Sequence, residues 1–121
     1  MIRKIRYSPE AQRDMDAVWD GVFEASCDPE TADNYVFELM DTVSRKKEFP
    51  ESGIPLDYRG LFTGYYSVNY KAYKAFYRIR GEYIEVLRII LMKQDFMKVL
   101  FDLAEYGPAD GPDAVLHEGT E

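Results

Sequence analysis

"YKAFYRIRGEYIEVLRIILM", residues 73–92, is the stretch on which the fold turns. Both halves are rich in the β-branched and aromatic residues that suit a pleated surface, so each reads as a strand. Gly81-Glu82 between them suits a two-residue type II′ turn, because glycine takes the positive φ needed at its first central position. With that loop, one face pairs Arg80 with Tyr83, Arg78 with Glu85, Phe76 with Leu87 and Lys74 with Ile89. The other pairs Ile79 with Ile84, Tyr77 with Val86, Ala75 with Arg88 and Tyr73 with Ile90. The second face is the more apolar and should pack on the core. Arg88 is its misfit: it needs a buried carboxylate or carbonyl, or a register one residue different. The first face sets Lys74, Arg78 and Arg80 among Phe76, Tyr83 and Leu87. That mixture suits RNA, through charge and stacking, or an apolar and acidic protein segment. It equally describes an ordinary solvated sheet face with an Arg78–Glu85 cross-strand pair.

Upstream, "IRKIRY" (residues 2–7) reads as a short first strand, stopped by "SPEA". Ser8 supplies an N-cap hydroxyl, Pro9 suits the first helical position and Glu10 complements the helix dipole. Behind them Ala11, Met15, Val18, Trp19, Val22 and Phe23 form one apolar face, and the helix should end near Cys27. Asp28, Pro29 and Glu30 repeat the grammar for a second helix, with its stripe running through Ala32, Tyr35, Val36, Leu39, Met40 and Val43. Arg45, Lys46 and Lys47 should close it as a dipole-compensating end. So short a link implies an antiparallel helical hairpin. Residues 50–64, with two prolines and three glycines, read as a loop with one short strand within it, followed by a strand over residues 65–70. After the hairpin, Phe96, Val99, Leu100 and Leu103 recur at helical spacing, which predicts a last helix folded over an edge of the sheet. Residues 104–121 read as an acidic, flexible tail, and the lone histidine there, His117, as incidental to any chemistry.

At 121 residues with 46% apolar and 15% aromatic side chains, the chain suits one packed domain. A single cysteine excludes a disulfide framework within it, and no stretch has signal-peptide or membrane-span character, so a cytoplasmic protein with no membrane partner is expected. The net charge of −7 is unevenly spread. Residues 1–57 hold 7 basic and 13 acidic side chains, residues 58–101 hold 8 and 3, and residues 102–121 hold none and 6, giving −6, +5 and −6. A basic surface on the second half could therefore attract polyanions despite the overall sign.

The order of strand, two helices, three antiparallel strands and terminal helix carries four phrases: "YSPEAQRDMDAVW", "FPESGIP", "YKAFYRIRGEYIEVLRI" and "QDFMKVLF". Together they resemble the RelE/ParE toxin superfamily of type II toxin–antitoxin systems, whose members include plasmid stabilisation proteins. The resemblance implies a small α+β domain over residues 1–103, a β-α-α-β-β-β arrangement with a short C-terminal helix. It implies a growth-inhibiting toxin that acts either as a ribosome-dependent mRNA interferase or as a DNA gyrase inhibitor. A cognate antitoxin would neutralise it and provide its only link to operator DNA; no cofactor or metal is implied. Lys74 falls where a central-strand arginine is common, and Lys93 where the strand-to-helix junction usually has one, which makes these two the candidate catalytic residues. Arg59, Lys71, Arg78, Arg80 and Lys98 are the candidate RNA- or target-binding residues. Leu91 and Met92 stand where a histidine and glycine are usual, Gln94 at a second basic position and Phe96 at a tyrosine. Lysine lacks arginine's two-pronged grip on phosphate and phenylalanine has no phenolic proton, so these departures weigh against cleavage more than against gyrase binding. The alternative is a decayed, non-toxic protein-binding module of the same fold.

Overall fold

The computed structural model describes residues 3–92. Strand β1 (Lys4–Tyr7) leads into helices α1 (Pro9–Ser26) and α2 (Pro29–Ser44), and then into two short 3-10 turns, Arg45–Lys47 and Pro50–Ser52. Strands β2 (Ile54–Tyr58), β3 (Leu61–Tyr70), β4 (Tyr73–Arg80) and β5 (Tyr83–Leu91) follow. They form a five-stranded sheet in the order β1-β5-β4-β3-β2. The α+β architecture is the expected one, with three differences. Residues 50–64 hold a whole strand and the start of a second rather than a loop with one short strand, so the sheet gains a β2–β3 hairpin. β1 joins the sheet parallel to β5, which makes the sheet mixed. The basic triplet 45–47 lies just past α2 in a 3-10 turn. The expected terminal helix and the acidic tail lie outside the described residues. Among those residues, no helix is long and apolar enough to cross a membrane.

The helix starts follow their caps. Ser8 Oγ accepts the Ala11 amide at 2.9 Å, and Asp28 accepts the Glu30 amide at 3.3 Å and the Thr31 hydroxyl at 2.6 Å. The Thr31 bond, first among its partners, lowers the Asp28 pKa. Cys27 ends α1 in the left-handed conformation. Ala11 and Val18 of α1 and Leu39 and Val43 of α2 are buried against Ala75, Tyr77, Ile84, Val86 and Ile89 of the sheet. Each larger apolar side chain so buried contributes about 1.5–3 kcal/mol. Trp19 and Phe23 of the predicted stripe instead stack on one another at the rim, 5.2 Å between ring centres, with the Trp19 indole N–H donating to Asp33 at 2.8 Å. Gly53 has its own packing reason: a Cβ there would collide with the Tyr77 hydroxyl, which donates to the Pro50 carbonyl and ties the turn before β2 to the core.

The β4–β5 hairpin has the expected two-residue turn, with φ of 60° at Gly81. Its register matches expectation from Arg80–Tyr83 through Tyr77–Val86 and then shifts. Leu87 is an extra residue, so Phe76 faces Arg88, Ala75 faces Ile89 and Lys74 faces Ile90. The bulge removes the misfit. Ala75 gains an apolar partner, and Arg88 reaches Asp14 of α1, its Nε donating to Oδ2 at 2.8 Å and Nη2 to Oδ1 at 3.3 Å. The same carboxylate accepts the Ile89 amide at 2.8 Å, while Ser8 Oγ donates to the Leu87 carbonyl at 2.9 Å. β1 has ended at Tyr7, so these two side chains of the α1 entry take over its pairing to β5.

Asp14→Ala should therefore lower stability by about 2 kcal/mol, the loss of a part-exposed ion pair plus an unsatisfied bulge amide. Urea unfolding measures this directly, and a loss below about 0.5 kcal/mol would show that the bulge does not depend on Asp14.

Candidate functional site

The side of the sheet away from the helices, here the outer face, carries the basic residues singled out in the central hairpin. Lys74, Arg78 and Arg80 alternate along β4 on this face, with Phe76 between the first two. Tyr65, Phe76, Leu87 and Ile90 form a second buried apolar cluster there. Arg78 is embedded in it at 2% exposure and donates from Nε to Glu85 Oε1 at 2.7 Å. Glu85 also meets Arg6 of β1 at 3.5 Å, and Arg6 lies over the Tyr83 ring at 4.2 Å. The cross-strand Arg78–Glu85 pair is thus present, but the face around it is dry rather than solvated. Burial raises the Tyr65 phenol pKa despite the opposing pull of Arg78.

Lys74 Nζ lies 3.5 Å from Ser67 Oγ, and partial burial lowers its pKa. Ser67, 3% exposed, escaped the sequence reading, since an isolated serine in a strand carries no signal. The chain reaches the end of the described residues beside Lys74, because the Met92 amide bonds the Ala72 carbonyl at 2.9 Å. Lys93 and Lys98 lie outside the described residues.

Arg59 and Lys71 stand apart from this face. Both occupy tight turns in the left-handed conformation, φ 54° and 52°. Arg59 turns β2 into β3 and lies over the Tyr58 ring at 5.3 Å. Lys71 turns β3 into β4 at the opposite end, 5.3 Å from the Tyr35 and Tyr70 ring centres and 4.0 Å from Glu38, which accepts the Tyr70 hydroxyl. The structure thus brings Lys74, Arg78 and Arg80 together and separates Arg59 and Lys71 from them.

Two further surfaces were not singled out in the sequence. The β2–β3 hairpin exposes Ile54, Leu61 and Phe62 at 50%, 74% and 51%, with Arg59 at its tip. Reading residues 50–64 as a loop concealed it, although "LFTGYY" carried the strand-forming signal. An open groove of about 680 Å³ also runs between β1 and α2. Phe37 and Met40 of α2, 65% and 38% exposed, give it an apolar wall, and Arg3, Lys4 and Lys47 line it with charge.

Residues 5–96 match the family model described as the ParE toxin of the type II toxin-antitoxin system parDE. The chain belongs to that family. The fold of this toxin is similar to solved structures at low sequence identity. One is titled the chromosomal ParDE TA system from P. aeruginosa, with TM-score 0.63, 20% identity, and coverage of 76% of this chain and 98% of the other. A second is titled the toxin-antitoxin complex RelBE2 from Mycobacterium tuberculosis, with TM-score 0.50, 20% identity, and coverage of 75% and 99%. No curated protein matches the toxin by sequence.

The position of Lys74 has a thermodynamic consequence. Its folded-state pKa lies below the ordinary value of 10.5, so burial of the charged ammonium opposes folding at neutral pH, and the opposition fades as pH rises through the folded pKa toward 10.5. Lys74→Met should stabilise the toxin at pH 7 and give a smaller gain at pH 10. Urea midpoints of the two proteins at both pH values measure it; a gain that grows with pH would contradict the assignment.

Proposed function

We propose that the toxin arrests growth by binding a protein target, DNA gyrase, without cleaving RNA, and that a cognate antitoxin neutralises it. The observation that carries this reading is the β2–β3 hairpin, whose exposed Leu61 and Phe62, on opposite faces of β3, flank the turn at Arg59. Apolar anchors flanked by an arginine are the usual centre of a protein interface, since they release water on docking while the cation sets orientation. The parDE family model and the departures at residues 91–96 support the same choice. On the outer face, Arg78 is committed to Glu85, an arrangement that suits sheet cohesion better than gripping a transferred phosphate.

The groove between β1 and α2 suits the antitoxin. Its apolar wall and the cations Arg3, Lys4 and Lys47, which outnumber Asp41 in the lining, fit an amphipathic acidic segment, and among the described residues β1 is an edge strand paired with β5, where a further strand can add. Blocking this surface need not touch the hairpin tip, so toxicity and neutralisation become separable by mutation.

A second reading, ribosome-dependent mRNA cleavage, is favoured by Lys74 alone. A lysine with a lowered pKa beside a buried serine is a fair phosphate ligand or proton carrier, and Lys93 would share that work.

Purified toxin should inhibit gyrase supercoiling and leave ribosome-bound mRNA intact. The opposite pair of results would overturn the first reading in favour of the second, in which alanine at Lys74 or Lys93 should lower cleavage by about a hundredfold. Leu61→Asp with Phe62→Asp should weaken supercoiling inhibition about tenfold or more while circular dichroism stays unchanged. Phe37→Asp with Met40→Asp should instead leave inhibition intact and abolish rescue by the antitoxin.

A further inference from the structure

The β2–β3 and β3–β4 turns share one construction and differ in one respect. Each has two residues between paired strand ends, Tyr58 with Leu61 in the first and Tyr70 with Tyr73 in the second. Each puts a long cation at its first central position with positive φ, 54° at Arg59 and 52° at Lys71, where glycine, asparagine or aspartate is the ordinary choice. A side chain with a Cβ is disfavoured in that conformation, so something besides the turn itself accounts for each cation.

For Lys71 the account lies inside the fold. Its ammonium is 4.0 Å from Glu38 and 5.3 Å from the centres of the Tyr35 and Tyr70 rings, contacts that tie the turn to α2. Arg59 has no such tie. Among the described residues its side chain forms no hydrogen bond or ion pair, and its guanidinium rests 5.3 Å from the centre of the Tyr58 ring. The tip is also open to solvent: a Cβ at Gly60 would meet nothing within 4 Å, and Leu61 is 74% exposed. Tyr58 and Leu61, paired across the hairpin, share a face of the sheet, so the ring beside Arg59 and the exposed leucine are neighbours.

A guanidinium presents its donors in a fixed plane, and a ring beside it holds that plane before any partner arrives, which lowers the entropy lost on docking. Apolar neighbours then exclude water, and a two-bond contact with a carboxylate gains strength from the drier surroundings. Residues 54–70 hold one cation, Arg59, and one carboxylate, Asp57. That is too little positive charge for a nucleic-acid backbone, which is held by several cations at once.

We propose that Arg59 is the specificity residue of the target interface and grips an aspartate or glutamate of the protein target, with Tyr58 and Leu61 as its apolar flanks. This rests on the reading of the β2–β3 hairpin as the surface that meets the target.

The test compares full-length wild-type toxin with Arg59→Gly and Arg59→Lys in gyrase supercoiling, in growth arrest on induced expression and in urea unfolding. Arg59→Gly relieves the positive φ, so its urea midpoint should stay level or rise while supercoiling inhibition falls about tenfold or more and growth arrest weakens. Arg59→Lys keeps the charge without the planar fork and should lose about as much inhibition. Inhibition that survives Arg59→Gly, or that is lost only in step with a falling urea midpoint, would overturn the proposal. So would full activity of Arg59→Lys, which is how a point charge on a phosphate behaves. A wild-type toxin that arrests growth yet spares supercoiling sinks the gyrase reading alone, and growth arrest by the two variants then decides the role of Arg59. A wild-type toxin that does neither overturns both.

Discussion

The Asp14 carboxylate holds the rest of the structure in register. It receives two bonds from Arg88 and one from the Ile89 amide, and so fixes the bulge at Leu87 on which the facing of every later residue in β5 depends. Side chains alternate strictly along a strand, so without the extra residue Ile89 and Ile90 would exchange faces. With it, Val86 and Ile89 point to the helices while Leu87 and Ile90 build the outer cluster. Both apolar layers of the sheet thus depend on a contact between one helix and one strand edge. Ser8 works beside it: one hydroxyl caps α1 and bonds β5, so the start of the helix and the end of β1 pairing are set by the same atom.

The same economy governs the charged groups. Arginine on a middle strand of a covered sheet must bring its counter-charge with it, and Arg78 does so through Glu85. The pair is worth little as net stability, because desolvation offsets its attraction, but losing one partner would leave a buried charge. Such a pair specifies strand register more than it advertises a binding site. Among the described residues, large apolar side chains are exposed at the margins of the sheet, at the β2–β3 tip and in the groove beside β1. In the proposed function, target and antitoxin contact different edges of the sheet.

Much of this was legible in the chain. Ser8-Pro9-Glu10 and Asp28-Pro29-Glu30 announced two helices, because caps act within one turn of their own position. Gly81-Glu82 announced the central hairpin for the same local reason, and the apolar stripes indicated which helix faces turn inward. The need of Arg88 for a carboxylate was also foreseeable, since a misfit in an apolar row demands a partner. What local rules could not supply were contacts between residues far apart in sequence. That Asp14 is the partner, that the register slips at Leu87 and that β1 lies parallel to β5 all depend on how the helical hairpin docks on the sheet. The number of cations on the second half of the chain was a matter of sequence. Which of them share a face, and which are already paired, was decided by tertiary packing, because the cost of burying a charge depends on its surroundings rather than its neighbours in the chain.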